Sequence, residues 1–320
     1  MDIRSSLKLA ALVAVAGTAT FTQAQATEKV KVAASFVGLW DTSQPTFCKD
    51  RGEFEKAGLD VEITSSRGGS ETVQAVVAGG YDIGYSPGIS SVFAAFVQGA
   101  PIRIVSSEFV GQNDSFFYVK KDSPIQSVDD LNGKTVAFPR PGGDTESVLA
   151  GLKAERKLDF TAVATGGLDA TRTMTMTGQV DVGYSFPPYQ LDAVEKGETR
   201  ILFSGEIVES TKDVTGRVNI ASADFAEKRT ETAKKFFAVL EDCIAWTYAH
   251  PEESAKMYAD LNKISIEEAK LGMSFYKEDQ LALAPIKGLD AAMARSVEAG
   301  FIEKPLTQEQ LDELIDMLVQ

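Results

Sequence analysis

The feature that most narrows the fold is an internal repeat. Gly80-Tyr81-Asp82-Ile83-Gly84-Tyr85-Ser86 returns 99 positions later as Gln179-Val180-Asp181-Val182-Gly183-Tyr184-Ser185. Each copy follows a helix-like segment and precedes a proline, Pro87 in the first and Pro187 in the second. A further helix-like stretch then ends at Gly99 or Gly197 and leads to a strand carrying Arg103-Ile104 or Arg200-Ile201. Helix-glycine-strand phrases recur by chance in α/β chains, but the matched downstream strands favour a duplication. Two copies of one helix–strand–helix–strand unit predict two similar lobes.

The segments around the repeat alternate in the same way. Lys29–Ser35 has the period-2 pattern of a strand, and Gln44–Ala57 reads as a helix stopped by Gly58. Val61–Thr64, Asp82–Ser86, Ile102–Ser106 and Phe116–Lys120 read as strands, and Ser70–Ala78 and Ile89–Gln98 as helices. The alternation predicts α/β layers with mostly parallel strands. Gly133–Pro139, Thr145–Lys157 and Ala170–Met176 continue it, and Val218–Ser222 reads as a return strand. Beyond Asp224 the pattern is helical, with Pro251 placed to open one helix and Thr307 to cap the last, Gln308–Leu318. A chain that leaves one lobe, builds the second and returns makes two crossovers, a hinge. The expected division is residues 27–116 with 220–320 as the first lobe and 117–219 as the second.

The first 26 residues are set apart. Arg4 and Lys8 precede the apolar or small-residue run Leu9–Thr20, and Ala24-Gln25-Ala26 gives a small-x-small cleavage pattern. This order predicts a secretory signal peptide cut before Thr27, and hence a periplasmic protein. The run is shorter than the roughly 20 apolar residues a membrane span needs. Removing Asp2, Arg4 and Lys8 takes away one net positive charge, so the net charge goes from −14 to −15. That charge argues against nucleic acid or an anionic membrane as partner, and a monomer is expected. It decides nothing about a small ligand, because charges beyond about 8 Å are screened.

Loops after strands are where a parallel α/β sheet places its ligand, beside helix N-termini that offer unpaired N–H groups. Five such loops carry polar or glycine-rich sequence. Phe36–Ser43 offers Trp40 as an apolar wall, with Asp41, Thr42 and Ser43 as polar contacts. Ser66–Thr72 offers Gly68 and Gly69 for close backbone approach and Ser70 as a cap or contact. The repeat contributes Tyr85–Ser90, with Ser86 and Gly88, and Tyr184–Tyr189, with Ser185, Phe186 and Pro187. Gly111–Ser115 contributes Asn113 and Asp114; Pro139–Thr145 contributes Gly142, Gly143, Asp144 and Thr145. Each residue serves equally well as a turn glycine, a helix cap or a packed aromatic. The five loops together, split between two lobes, point to a cleft.

Catalytic signals are absent from the pattern. The single histidine, His250, lies far in sequence from these loops, and there is no Gly-x-Ser-x-Gly elbow. No C-x-x-C occurs, so no zinc site and no cofactor are expected. Cys48 and Cys243 are compatible with two separate buried thiols or with one disulfide in an oxidising compartment.

FVGLWDTS, RGGSETVQAVVAGGYDIGYS, GQND, PRPGG and ATGGLDATRTMTMTGQVDVGYSFPP together resemble the NMT1/THI5-like and sulfonate/taurine/nitrate group of ABC-transporter substrate-binding proteins. The resemblance runs from about Val30 to Leu318. It implies a type II periplasmic-binding-protein fold, with two Rossmann-like lobes, two hinge strands and a small-molecule ligand between them. It also implies an ABC permease and ATPase in the inner membrane as partners. Family ligands implied are sulfonates, nitrate, bicarbonate or pyrimidine-like thiamin precursors, held at positions matched by Trp40–Ser43, Gly68–Ser70, Ser86–Gly88, Asn113–Asp114, Gly142–Thr145 and Ser185–Pro187. One branch of the family contains biosynthetic enzymes with a histidine and a cysteine-rich motif. This chain lacks the cysteine cluster, so a binding protein is the expected reading. The acidic residues in the loops favour a ligand with a donor, such as an amino-sulfonate, over a plain anion.

Overall fold

The computed structural model describes residues 27–139 and 144–319, with Asp144 described by its backbone alone. The expected signal peptide and Gly142 and Gly143 lie outside the described residues. Ten strands fall into two groups. Of the strands β1 Glu28–Ser35, β2 Leu59–Ser66, β3 Ile83–Tyr85, β4 Ile102–Val110 and β10 Thr215–Ser222, the first sheet has the order β2-β1-β3-β10-β4. The second group holds β5 Phe116–Lys120, β6 Thr135–Phe138, β7 Thr161–Ala164, β8 Gly183–Ser185 and β9 Thr199–Ser204. They form β8-β5-β9 and the pair β6-β7, joined by a bridge between Val136 and Val182. The resulting order, β7-β6-β8-β5-β9, reproduces that of the first sheet. This is the type II arrangement of two Rossmann-like lobes joined by two crossover strands.

The repeat occupies equivalent places in the two sheets, and its aspartate does the same job twice. Asp82 Oδ2 accepts the Lys31 N–H of β1 at 2.8 Å, and Asp181 Oδ2 accepts the Thr135 N–H of β6 at 2.8 Å. The threonines ahead of the repeat match as well. Thr72 Oγ1 bonds Ser66 Oγ and donates to Gly68 O, while Thr171 Oγ1 bonds Thr165 Oγ1 and donates to Gly167 O. The aspartates, the threonines and the threonines' partners in the two copies are each 99 positions apart, so the duplication extends into the turn before each helix.

Strand alternation places the cores. Val30, Val32 and Ala34 of β1 pack with Phe225, Phe236 and Phe237 on one face of the first sheet. Ile102, Ile104, Val218 and Ile220 turn to the other face, against Val92, Phe93 and Met293. In β5, Phe117 and Val119 enter the core of the second sheet, whereas Phe116 and Tyr118 point the opposite way, toward Leu191 and Phe275. Burial of such side chains supplies the main driving force, about 25 cal/mol per Å² of apolar surface.

Four expectations need correction. The sheets are mixed: β10 runs antiparallel to β3 and β4, and β5 antiparallel to β8 and β9. Each of these strands enters its sheet from the other lobe, so its direction is set by the crossover. The helix expected over Gln44–Ala57 is two helices, Gln44–Asp50 and Glu53–Lys56, broken at Gly52 with φ 73°. The last helix ends at Leu314, not Leu318, because the chain then pairs with β4 through Asp316 N–H to Ile104 O and Leu318 N–H to Val105 O. Ser70 caps nothing; Gly68 holds the cap position of that helix and Ser70 bonds the Ser91 hydroxyl at the surface.

The two crossovers touch. Gly205 N–H donates to Ser115 O at 2.7 Å, and Gly111 N–H to Val214 O at 3.0 Å. A Cβ on Gly205 would lie 2.3 Å from the Gln112 carbonyl oxygen, a backbone atom that cannot swing aside. Gly205→Ala is therefore expected to cost roughly 1–3 kcal/mol by forcing the crossovers apart. Urea unfolding checks this, and an unchanged midpoint would show that the contact relaxes freely.

Candidate functional site

Where the crossovers meet the first sheet, charged residues from distant parts of the chain converge. Asp41 comes from the loop after β1, Ser86 from the end of β3, Glu108 from β4, Asp114 from the first crossover and Arg217 from β10. Arg217 Nη2 donates to Asp114 Oδ2 at 2.7 Å and lies 3.3 Å from Asp41 Oδ2. Its Nε sits 3.5 Å from Glu108 Oε2 without hydrogen-bond alignment. The three carboxylate side chains are 0% exposed and the arginine side chain 14%. The guanidinium also lies over the Phe109 ring, 4.3 Å from its centre.

Three buried carboxyls around one guanidinium leave negative charge in excess. Burial pushes the Glu108 carboxyl well above the usual range, and the neighbouring Asp41 pushes it further against the pull of Arg217. Burial also raises Asp114, with Arg217 opposing. For Arg217, burial works against the cation, but Asp114, Asp41 and Glu108 hold it firmly protonated. Burying charge in this way is costly unless every lone pair finds a partner. Here several do not: Asp114 Oδ1, Asn113 Oδ1 and the hydroxyls of Ser115, Tyr258 and Tyr276 have no hydrogen-bond partner in the protein, whereas the carboxyls of Asp41 and Glu108 are hydrogen-bonded to each other.

Backbone strain marks the same place. Ser86 has φ 62°, the left-handed region, which is uncommon outside glycine. It is held there by Asn219, whose Oδ1 accepts the Ser86 N–H at 3.0 Å while Nδ2 donates to Ser106 Oγ at 2.8 Å. So fixed, Ser86 Oγ donates to Glu108 Oε2 at 2.8 Å and lies 3.5 Å from Asp41 Oδ2. Aromatic rings enclose the group. Tyr258 packs edge-on against Trp40 at 5.4 Å, Tyr276 against Phe109 at 5.5 Å, and Tyr85 Oη donates to Asp41 O.

Of the residues expected from sequence, Asp41, Ser86, Asn113 and Asp114 gather here. Trp40 lines the neighbourhood as a core residue rather than an open wall: it is fully buried, and its Nε1 donates to Tyr248 Oη at 3.1 Å. Thr42 and Ser43 are buried and donate to carbonyls of their own loop, Thr42 to Phe36 O and Ser43 to Leu39 O. Gly69 and Gly88 pack on each other, and a Cβ on Gly69 would meet Gly88 N at 2.8 Å. That glycine answers to helix packing, and Ser70 beside it is exposed on an outer groove with Gln74 and Ser91.

The second lobe presents its repeat toward the first. Ser185 Oγ donates to Tyr189 O at 3.0 Å, Phe186 packs edge-on against Tyr184, and Pro187 lies beside Gly272. Tyr189 Oη approaches Gly38 of the loop that carries Asp41. Thr145 is buried near the start of the helix Asp144–Arg156. Gly143 and the Asp144 side chain lie outside the described residues. The remaining polar groups bear on the enzyme alternative: His250 stacks on Trp246 and bonds its carbonyl, and Cys48 and Cys243 form a disulfide.

Sequence reasoning missed Glu108, Arg217, Tyr258 and Tyr276. A charged residue in a strand reads as solvent-facing, and the two tyrosines lie in or just after helices beyond Asp224. One signal was available: Glu108 interrupts the otherwise apolar and small-residue run Ile104–Val110. Among the described residues no helix is long and apolar enough to cross a membrane.

Comparison with known proteins agrees with this architecture. A protein of Escherichia coli named for binding aliphatic sulfonates is 24% identical over 246 residues, 76% of this chain and 75% of that protein. A Brucella abortus protein named only as a binding protein is 27% identical over 278 residues, covering 83% of this chain and 85% of its own. Among solved structures, the periplasmic aliphatic sulphonate binding protein of Escherichia coli superposes with a TM-score of 0.73 at 19% identity, covering 92% of this chain and 93% of that one. The alkanesulfonate-binding protein of Xanthomonas axonopodis pv. citri, bound to MOPS, gives a TM-score of 0.72 at 17% identity, with 92% and 100% coverage. The profile of the NMT1/THI5-like family matches residues 46–254, a span that takes in both copies of the repeat and both crossovers, and the chain belongs to that family.

Proposed function

We propose that the protein is the solute-binding component of an ABC importer, capturing a small polar ligand between its two lobes and delivering it to a membrane permease. The observation that carries this reading is the buried polar group at the crossovers, several of whose hydrogen-bonding atoms lack partners within the protein. A ligand supplying those partners stabilises the closed arrangement, and hinge closure follows from that differential. The lobe built on β1–β4 and β10 moves against the lobe built on β5–β9, so the first lobe resumes at Thr215, where β10 begins, and not at residue 220 as the sequence led one to expect. The ligand contacts are Asp41, Ser86, Asn113 and Asp114 with Glu108, Arg217, Tyr258 and Tyr276, and the Ser185–Pro187 segment faces them from the second lobe. Export through residues 1–26 places the protein in the periplasm, as a monomer.

The relatives named for binding, and the sulfonate-binding proteins that share the fold, support a binding role without catalysis. So do the engaged cysteines and the stacked histidine, which leave the cysteine and histidine chemistry of a biosynthetic branch without its residues. A desulfurization enzyme shares the fold at a TM-score of 0.62 and 16% identity, so the fold by itself does not decide the point. For the ligand, the excess carboxylates favour a zwitterion such as an amino-sulfonate over a plain anion. Saturation at a hundred times Kd is expected to stabilise the protein by about 2.7 kcal/mol. Thermal unfolding and solution scattering with and without solute test this. Turnover of the solute, or binding with no compaction, would sink the reading.

A further inference from the structure

The carboxyl excess at the crossovers defines what the site recognises. We propose that it binds a protonated nitrogen centre, an ammonium or amidinium-type cation, which takes its place among Asp41, Glu108 and Asp114 in exchange for a proton. The inference deepens the binding function proposed above and rests on it.

Charge is the first ground. Arg217 is already bonded to Asp114 and close to Asp41 and Glu108, so it has no unshared charge to offer an anion. An incoming anion would instead meet three buried carboxyls, the hydrogen-bonded pair Asp41 and Glu108 and an Asp114 whose Oδ1 has no partner. The second ground lies in the tyrosines beside the acids. Tyr258 and Tyr276 are 0% and 3% exposed, their hydroxyls have no partner, and both feel the charges of Asp41 and Asp114. The hydroxyls are thus within electrostatic reach of these carboxylates yet beyond hydrogen-bond reach of any acceptor. A group with several N–H donors satisfies such a set. Among the described residues no cluster of His, Cys, Asp or Glu is arranged to hold a metal ion, which favours an organic cation.

The groups facing Glu108 are Asp41 from the β1 loop, Tyr85 from β3, Ser86 just after it and Arg217 from β10, with Asp114 joined through Arg217; Tyr258 and Tyr276 feel the charges of Asp41 and Asp114. Without a ligand, Glu108 retains its proton above the ordinary carboxyl range because burial and Asp41 both raise it. A cation binds best to the deprotonated pair, so one proton leaves as one cation enters. Affinity therefore rises with pH, by up to about tenfold per unit while Glu108 remains protonated in the free protein.

The experiment uses taurine, ethanesulfonate and ethanolamine in titration calorimetry from pH 5.5 to 8.5, together with mass identification of the solute captured from a cell extract. Taurine and ethanesulfonate differ only in the ammonium group. The expected result is heat from taurine or ethanolamine and none from ethanesulfonate, or a captured solute with a protonated nitrogen, in either case with affinity rising with pH. Ethanesulfonate binding as well as taurine, or capture of an uncharged or purely anionic solute, overturns the cation while leaving the binding function standing. Failure to capture any solute sinks the binding function itself. Glu108→Gln separates recognition from structure. It removes one buried acid from an over-acidic cluster, so the unliganded protein should melt no lower than the parent at pH 8, while binding weakens at least about thirtyfold. Parent-like, pH-dependent binding by Glu108→Gln would overturn the assignment.

Discussion

Arg217→Met is expected to lower stability at pH 7.5 by about 3–5 kcal/mol, the cost of leaving buried charges without their counter-ion. The side chain is surrounded by Asp41, Glu108 and Asp114, each fully buried, and it also covers the Phe109 ring. Methionine keeps much of the volume and loses the charge. The deficit should shrink as pH falls. Glu108 and Asp114 already have raised pKa values because burial disfavours their charge, and without Arg217 they rise further. A carboxyl whose folded pKa lies above its unfolded pKa contributes stability at low pH, and that contribution is lost as pH rises through the folded value. The variant should therefore recover part of its loss between pH 7.5 and pH 5. Urea unfolding at both values decides the matter. An equal deficit at the two would show that lost packing, and not uncompensated charge, is responsible.

Opening the disulfide by Cys48→Ala with Cys243→Ala is the second large effect. The bond joins residues 195 positions apart, so it restricts a very long loop in the unfolded chain. Loop-closure entropy for that length amounts to about 5 kcal/mol, and measured effects of such bonds are commonly about 2–4 kcal/mol. The bridge links the helix Gln44–Asp50 to the helix Thr230–Ala249, and Phe54 stacks on Phe236 nearby at 4.9 Å. It therefore ties the N-terminal part of the first lobe to the helical return that completes it. The melting temperature of the double variant, compared with the parent under non-reducing conditions, measures the effect. A difference equivalent to less than about 1 kcal/mol would mean that the native packing, not the covalent link, sets stability.

The relation between the two tests follows from where each interaction lies. The disulfide acts within the first lobe and reaches the carboxyl cluster only through the rings of Phe47, Trp40 and Tyr258, so its removal should change solute binding far less than stability. Arg217 sits in the cluster itself, and its removal should change binding as well as stability. Ser86 belongs to the second kind, since its strained backbone is maintained by Asn219 on the return strand. Strain of this sort persists only where surrounding contacts over-determine it.

Residues read from sequence fared according to the range of their interactions. The repeat was legible because its pattern lies within a few residues, even though its aspartate bonds a strand 51 positions earlier in the first sheet and 46 in the second. The glycine turns and the caps at Pro251 and Thr307 were legible for the same reason. Trp40 and Gly69 were ambiguous, since an aromatic in a loop suits a core as well as a ligand and a glycine suits helix packing as well as a ligand's approach.

What the sequence by itself determined is the architecture: two matched units 99 residues apart, alternating strands and helices, and a chain that crosses between lobes twice. Periodicity and turn chemistry express themselves over a few residues and need no tertiary partner. What only the tertiary structure decided is the charge in the site, the antiparallel direction of the crossover strands and the pairing of Cys48 with Cys243. Glu108 and Arg217 are 109 positions apart, and an isolated charge in a strand looks alike whether it meets water or three buried neighbours. The meeting depends on the sheet order β3-β10-β4, which brings the return strand between segments the chain left behind much earlier.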